Sequence, residues 1–290
     1  MPDGLVIVDK PGGWTSHDVV AKIRRLAGTR KVGHAGTLDP MATGVLICGV
    51  GRATRLLGHV ADRDKTYRAT IRLGQSTVTD DAEGDVVGGA SADQVTEPSV
   101  RSRLTAMVGE IEQVPSAVSA VKVDGKRSYA RVRAGEEVEL APRRVTISEL
   151  TIEAARRPSA ELMDVDVHVT CSSGTYVRAI ARDLGTALGV GGHLTALRRT
   201  RVGPFDVNDA RTVADLERSF AVLPLADVLR EIFPVRVTSE AESLDVRHGR
   251  PIPLTGEDGL VGVFDAGGSA LALMEPRGQV LRVVVGFTGT

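Results

Sequence analysis

The chain has 290 residues, 42% of them hydrophobic and 25% charged, and its net charge of −1 indicates no class of partner by itself. This length suits one large core, or a main domain with a small appendage. No apolar run approaches the ~20 residues of a membrane-spanning helix, and the start lacks the pattern of a signal peptide, so we expect a cytoplasmic protein without a membrane anchor.

The first third of the chain predicts short elements joined by glycine-rich turns. GLVIVDKP (4–11) predicts a buried strand that ends at Pro and two glycines. Ser16 is the predicted N-cap of a helix that runs through Leu26 and ends at Gly28. Then follow a loop around Asp39, a strand in VLICGV, a helix in ATRLLGHVAD and a half-buried strand in KTYRATIRLG (65–74).

The middle of the chain predicts a loop, a helix and an excursion from the core. Residues 79–95 predict a flexible acidic loop, and EPSVRSRLTAMVGEIEQ predicts one helix with Pro98 near its first turn. Residues 114–145 are irregular, with a short strand around 117–123 and a basic helix around 128–134. Strands follow in RRVTISELTIE and ELMDVDVHVTC, then an amphipathic helix in GTYVRAIARDLGTALG and a strand in HLTALRRTRVG.

After residue 233 the pattern changes to short strands with glycine turns around one short helix (239–248). We therefore predict a domain of residues 1–233 and a small β-rich domain of residues 234–290. The predicted fold class is α+β: a mixed, largely antiparallel sheet with helices on its faces.

Metal and cofactor motifs are absent from the sequence. The six histidines and two cysteines lack the spacing of metal ligands, and neither a GxxxxGK[ST] loop nor a strand-linked GxGxxG occurs. We expect no metal and no cofactor. Cys48 and Cys171 lie in apolar stretches, which is typical of buried thiols in a reduced cytoplasmic protein, and a disulfide stays open as an alternative.

Charge is unevenly distributed along the chain. Residues 79–97 contain six acids and no base, whereas 121–133 contain five bases and one acid, and 178–201 contain five arginines and one acid. Basic stripes of this kind are typical of a polyanion-binding face, and a solvated surface is the alternative.

Tyr67 and Tyr176 lie in similar settings: each follows a threonine and lies within two residues of an arginine, Arg68 and Arg178 respectively. A planar ring beside a guanidinium suits stacking on an extruded base. Core packing with an arginine that reaches past the ring is the alternative explanation.

Asp39 lies in the rigid stretch KVGHAGTLDPMATGVL (31–46), which contains three glycines and a proline that restricts the Asp39 backbone. An Asx-turn is the ordinary explanation of such an aspartate. A lone carboxylate does not fit the carboxylate pair of a glycosidase, but it fits a nucleophile that an adjacent cation keeps ionised.

Five segments together resemble the TruB-type tRNA pseudouridine synthases, in the family's order and from residue 4 to about 205. They are GLVIVDKPGGWTSHDVV, KVGHAGTLDPMATGVL, KTYRATIRLG, CSSGTYVRAIARDLG and HLTALRRTRVG. The GHxGTLDPxATG block is highly specific. The resemblance implies a pseudouridine synthase fold and isomerisation of uridine 55 in the tRNA T-loop to pseudouridine, without a cofactor or metal.

The resemblance also implies roles for single residues. Asp39 matches the catalytic nucleophile, and Arg178 the arginine that pairs with it. Tyr67 matches the tyrosine that stacks on the target base and is a candidate for proton removal at C5. The other residues of the pocket would be Tyr176 and Leu197, with His34 in contact with the T-loop.

The excursion at 114–145 matches the family's RNA-gripping insertion, in which the phosphate contacts would be Lys122, Lys126, Arg127, Arg131 and Arg133. Residues 234–290 match a PUA-like domain, so residues 1–233 would form the catalytic domain. This sequence departs from the family in the seven acids and four arginines of residues 239–290, and in Val118, where relatives commonly carry an aromatic residue.

Three functions remain open at this point. A stand-alone enzyme would be a monomer that needs no protein partner and acts on the T-arm stem-loop of tRNA. An RNA-guided pseudouridine synthase subunit is the enzymatic alternative, and a non-catalytic RNA-binding or tRNA-folding chaperone is the other. Retention of Asp39, Tyr67 and Arg178 together favours an enzyme.

Overall fold

The structure is a computed structural model that describes residues 3–116, 122–123, 126–127 and 140–288. In chain order the strands are β1 (Gly4–Lys10), β2 (Val32–Ala35), β3 (Thr43–Val50), β4 (Lys65–Leu73), β5 (Ser76–Thr77), β6 (Val86–Gly88), β7 (Gly109–Gln113), β8 (Lys122–Val123), β9 (Lys126–Arg127), β10 (Arg143–Arg156), β11 (Met163–Cys171), β12 (Gly192–Val202), β13 (Phe205–Asp206), β14 (Arg211–Thr212), β15 (Leu223–Pro224), β16 (Val235–Val237), β17 (Ile252–Pro253), β18 (Val261–Phe264), β19 (Ala270–Arg277) and β20 (Val280–Gly286). The α-helices are α1 (Ser16–Ala27), α2 (Leu57–Ala61), α3 (Glu97–Thr105), α4 (Val177–Ala187), α5 (Val213–Arg218), α6 (Leu225–Ile232) and α7 (Glu240–Arg247).

An 11-stranded sheet forms the centre, with the main order β14-β1-β3-β12-β4-β11-β10-β7. β1 pairs with β14 and β3 with β12 in parallel, while the pairs β1–β3, β12–β4, β4–β11, β11–β10 and β10–β7 are antiparallel. The predicted mixed, largely antiparallel sheet is confirmed.

Side chains along each strand point alternately to the two faces of the sheet, and both faces are apolar. On β1, Val6 and Val8 lie in the core cluster that contains residues of α1, α3 and α4, whereas Leu5 lies in the cluster that contains residues of α6. Helices therefore cover both faces, as predicted. No helix within the described ranges is long and apolar enough to cross a membrane.

The C-terminal part forms a five-stranded sheet of order β16-β18-β19-β20-β17. It has a small core of its own, but Phe264 and Leu273 belong to the same cluster as Leu5 and Leu229. Because this core is shared, the C-terminal sheet packs directly on the larger one.

Two predicted elements differ from the structure. The single helix predicted for 97–113 ends at Thr105, and Gly109–Gln113 forms β7, because Gly109 has φ 108° and the residues after it alternate against β10. The residues 79–95, predicted as a flexible loop, include the strand β6, which pairs with β5, and a buried aspartate that is described below.

The N-cap of α1 is Thr15 rather than the predicted Ser16. Thr15 forms a capping box with Asp18, and Gly28 ends the helix in the left-handed conformation. The Ser16 hydroxyl is buried and instead holds the backbone of Leu38: its Oγ accepts from Leu38 N at 2.9 Å and lies 3.1 Å from Leu38 O.

Candidate active site

The loop between β2 and β3 presents Asp39 and is held on several sides. Ser16 fixes Leu38, and Gly13 N donates to Pro40 O at 2.8 Å. The ammonium of Lys10, which is fully buried, donates to Pro40 O at 3.1 Å and to two further carbonyls of the 11–14 turn. Burial lowers the pKa of Lys10 to about 8. The backbone around Asp39 is therefore fixed before any ligand binds.

Arg178 forms a two-point ion pair with Asp39. Its Nε lies 3.0 Å from Asp39 Oδ2 and its Nη2 donates to Oδ1 at 3.3 Å. The arginine side chain is 6% exposed and that of Asp39 is 36% exposed, so one face of the carboxylate stays accessible. Desolvation raises the pKa of Asp39, and the Arg178 charge opposes that rise.

Asp81 provides a second carboxylate on the same guanidinium. Its Oδ2 lies 3.4 Å from Arg178 Nη1, and that nitrogen also donates to Thr79 O at 2.9 Å. Asp81 is 2% exposed and accepts from Thr79 Oγ1 at 2.5 Å and from Glu83 N at 3.0 Å. Arg178 thus bridges an accessible and a buried carboxylate, which fixes the plane of its guanidinium.

Tyr67 and Leu197 come from neighbouring strands, β4 and β12, and both are buried in one cluster with Leu38. Burial raises the pKa of the Tyr67 phenol, and the positive charge of Arg199 opposes this shift. Arg199 is 1% exposed; it donates from Nε to Val45 O at 2.7 Å and from Nη2 to Gly36 O at 2.8 Å. Arg199 therefore links the loop that carries Asp39 to β12, the strand that pairs with β4 at Tyr67.

His34 and Tyr176 are both half-buried. His34, on β2, meets exposed His17 edge to face with 5.6 Å between ring centroids. Desolvation, followed by the charges of His17 and Arg199, lowers the pKa of His34, so the imidazole is neutral near pH 7. Tyr176 occupies the N-cap position of α4, directly before the turn that carries Arg178.

The structure thus brings Asp39 and Arg178 into contact and buries Tyr67 in one cluster with Leu38, the residue before Asp39. The predicted phosphate contacts belong to the segment 122–133. Lys122, Lys126 and Arg127 lie on the β8–β9 hairpin, of which only the backbone is described, and Arg131 and Arg133 lie outside the described residues, as does the basic helix predicted for 128–134.

Sequence reasoning missed the contributions of Asp81, Ser16 and Arg199, which become evident only from their contacts. Within the part of the chain that the structure describes, no three His, Cys, Asp or Glu side chains are grouped as metal ligands. Cys48 and Cys171 are buried free thiols.

Family comparisons cover nearly the whole chain. The model of the "TruB family pseudouridylate synthase (N terminal domain)" matches residues 24–177. The "tRNA pseudouridylate synthase B C-terminal domain" matches 178–233, and "tRNA Pseudouridine synthase II, C terminal" matches 233–288.

Two relatives of high sequence identity have the same name. The chain is 58% identical over 293 residues to the tRNA pseudouridine synthase B of Thermobifida fusca (strain YX), with 100% of both chains covered. It is 55% identical over 297 residues to that of Arthrobacter sp. (strain FB24), with 99% of this chain and 97% of the relative covered.

Among solved structures, a Cbf5-Nop10-Gar1 complex matches with a TM-score of 0.73 and 26% identity, covering 98% of this chain and 85% of the matched chain. The archaeal box H/ACA sRNP Nop10-Cbf5 complex matches with a TM-score of 0.72, also at 26% identity, over 98% and 86%. The chain therefore belongs to the TruB family of pseudouridylate synthases.

Proposed function

We propose that this protein converts uridine 55 in the T-loop of tRNA to pseudouridine, with Asp39 as the nucleophile. The observation that carries the proposal is the two-point ion pair between Asp39 and Arg178. The relatives named tRNA pseudouridine synthase B support the reaction and the class of RNA.

The reaction breaks the bond between ribose C1′ and base N1 and forms a bond between C1′ and C5. The proton on C5 leaves and N1 gains one, so the product is an isomer and no group is consumed. Attack of Asp39 at C1′, attack at the base and assistance of elimination all need an ionised carboxylate. Arg178 supplies the charge that favours this form against desolvation.

The target base is stacked inside the T-loop and must swing out before it can meet Asp39, at a cost of about a few kcal/mol. Stacking on Tyr67 offsets part of this cost, since base–aromatic stacking contributes ~1–3 kcal/mol. We assign Leu197 to the apolar side of the pocket for the base and Tyr176 to its rim. The neutral ring of His34 can occupy the space that the base vacates without introducing a charge.

Tyr67 is our candidate for removal of the C5 proton. A phenol with an ordinary pKa near 10 is a poor base at neutral pH, and burial raises the pKa of Tyr67 further. Arg199 acts in the opposite direction, because its buried guanidinium favours the phenolate. The net shift is upward, so we assign Arg199 the role of offsetting part of the effect of burial on this phenol.

The T-arm stem-loop is the proposed recognition element, and Lys122, Lys126, Arg127, Arg131 and Arg133 are the proposed phosphate contacts. We propose that the enzyme acts as a monomer, in the cytoplasm where tRNA is found, without a protein partner or guide RNA. Residues 1–233 would form the catalytic domain with its insertion at about 114–145, and residues 234–290 the PUA-like domain.

Incubation of unmodified tRNA with the purified protein, followed by mapping of pseudouridine by position, tests the proposal. We expect modification at position 55 alone, from the protein without additions. Product that requires a guide RNA and partner proteins would indicate the RNA-guided class, and tight binding without product would indicate a chaperone.

A further inference from the structure

Gln113 binds both backbone polar groups of Tyr176. It is the last residue of β7, and it is 1% exposed. The backbone N–H of Tyr176 donates to Gln113 Oε1 at 2.8 Å, and Gln113 Nε2 donates to Tyr176 O at 3.1 Å. One side-chain amide thus pairs with one residue of another element as a β-bridge partner would.

Tyr176 occupies the N-cap of α4, where its backbone N–H has no partner inside the helix. N-cap side chains are usually Ser, Thr, Asp or Asn, whose oxygens accept from the first helical amides, and the Tyr176 side chain makes no capping hydrogen bond. Its carbonyl also accepts from Ala179 N at 3.1 Å and Ile180 N at 3.4 Å, so it begins the helix. Within the described ranges, Gln113 is the sole acceptor for the Tyr176 N–H.

A second contact ties the same strand end to the same helix. Arg182 on α4 donates from Nη2 to Val114 O at 2.8 Å, and its Nη1 lies 3.4 Å from Asp80 Oδ2. Asp80 directly precedes Asp81, the buried carboxylate on Arg178. The contacts of Gln113 and Val114 therefore hold the first two turns of α4 from outside.

We propose that Gln113 is a positioning residue of the active site, which fixes the start of α4 so that Tyr176 and Arg178 face the Asp39 loop. Arg178 lies two residues after Tyr176, and a shift of the first turn by 1 Å would break the geometry of a pair with bonds of 3.0 and 3.3 Å. This inference rests on the proposed function, since positioning is defined with respect to the isomerisation.

Gln113→Met is the test variant, because Met has a similar length and makes no hydrogen bonds of this kind. Gln94→Met, at an exposed glutamine, is the matched control. The readouts are the single-turnover rate on a T-arm stem-loop, the Kd for that RNA, and hydrogen exchange of the peptide that contains Tyr176. We expect a rate about 10- to 100-fold lower, a Kd unchanged within about threefold, and faster amide exchange at Tyr176, while the control matches the wild type.

Gln113→Glu separates positioning from general loss of structure. It retains an acceptor for the Tyr176 N–H, and the protonated carboxyl that burial favours can donate to Tyr176 O, so its rate should lie between those of the wild type and Gln113→Met. A wild-type rate and wild-type exchange in Gln113→Met would overturn the inference while the proposed function stands. Equal losses in rate and RNA affinity, without a partial rescue by Gln113→Glu, would also overturn it. A wild-type protein that forms no pseudouridine would refute the proposed function instead, and unchanged exchange at Tyr176 would then still refute the role of Gln113.

Discussion

Substitution of Arg178 by Lys tests how much the two-point contact between the guanidinium and Asp39 contributes to the reaction rate. The arginine makes two contacts with the Asp39 carboxylate, at 3.0 and 3.3 Å, and uses Nη1 for Thr79 O and Asp81. A lysine retains the charge but reaches these acceptors from one nitrogen, so one or two of the contacts are lost.

The size of the effect follows from these contacts. Hydrogen bonds that involve charged groups contribute about 1.5–3 kcal/mol each, so loss of even one costs about 1.5–3 kcal/mol if the pair is needed in the transition state. That energy corresponds to a rate at least about 10- to 150-fold lower. RNA affinity should change little, because the side chain of Arg178 is 6% exposed and has no free surface for a phosphate.

The assay is single-turnover formation of pseudouridine in a T-arm stem-loop at saturating enzyme, with the Kd measured separately. Arg72→Lys is the matched control. Arg72 makes the same two-point pair with Asp164, at 2.8 and 2.9 Å, on the same strand as Tyr67 but five residues away. We expect the control to retain its rate. A rate for Arg178→Lys within about threefold of the wild type, or an equal loss in the control, would refute the reasoning.

Three further predictions concern the ring, the carboxylate and the core. Tyr67→Phe should retain RNA affinity, because the stacking ring remains, and should lower the single-turnover rate about 100-fold or more, because the proton acceptor is lost; a wild-type rate would exclude the phenol as the base. Protonation of Asp39 removes the nucleophile, so the rate should fall as the pH is lowered. The midpoint of this fall should lie above the ordinary aspartate pKa of 3.8, because burial raises the pKa of Asp39. A rate that stays constant down to about pH 4 would contradict the assignment. Phe264→Ala should lower the free energy of unfolding by about 3–5 kcal/mol in denaturant titration, because Phe264 is 1% exposed in the core that both sheets share. The whole chain should unfold in one transition. A separate transition of the C-terminal sheet would contradict a shared core.

Periodicity in the sequence was sufficient to predict the long elements of the sheet. β4 and β11 alternate clearly, and α4 has one apolar face, so their patterns match their burial. In β10 the alternation is interrupted by two register shifts. β7 was wrongly predicted as the end of a helix. Its five residues, two of them glutamates, are too few to show a clear alternation, and they form a strand because they pair with β10.

The pairing in the active site could not be derived from local pattern. Asp39 and Arg178 are 139 residues apart, and only the resemblance to a family predicted that they meet. Asp81 was hidden in a run of acids that usually indicates a solvated loop. The turn that buries it depends on Thr77 and Thr79, which donate to its carbonyl and carboxylate, and on Leu194 N, which donates to Asp80 O. Such contacts join residues that are far apart in the sequence, so the local amino-acid composition does not reveal them.

Asp39→Asn provides the most direct test of the central claim, that an accessible carboxylate held ionised by Arg178 performs the isomerisation. The amide has the same shape and fits the same loop, but it cannot act as a nucleophile. With unmodified tRNA, we predict no pseudouridine at position 55 under conditions of complete turnover by the wild type, and a Kd for the RNA within about threefold of the wild-type value. Pseudouridine formed by Asp39→Asn at the wild-type rate would contradict the claim and would require another residue to carry the chemistry.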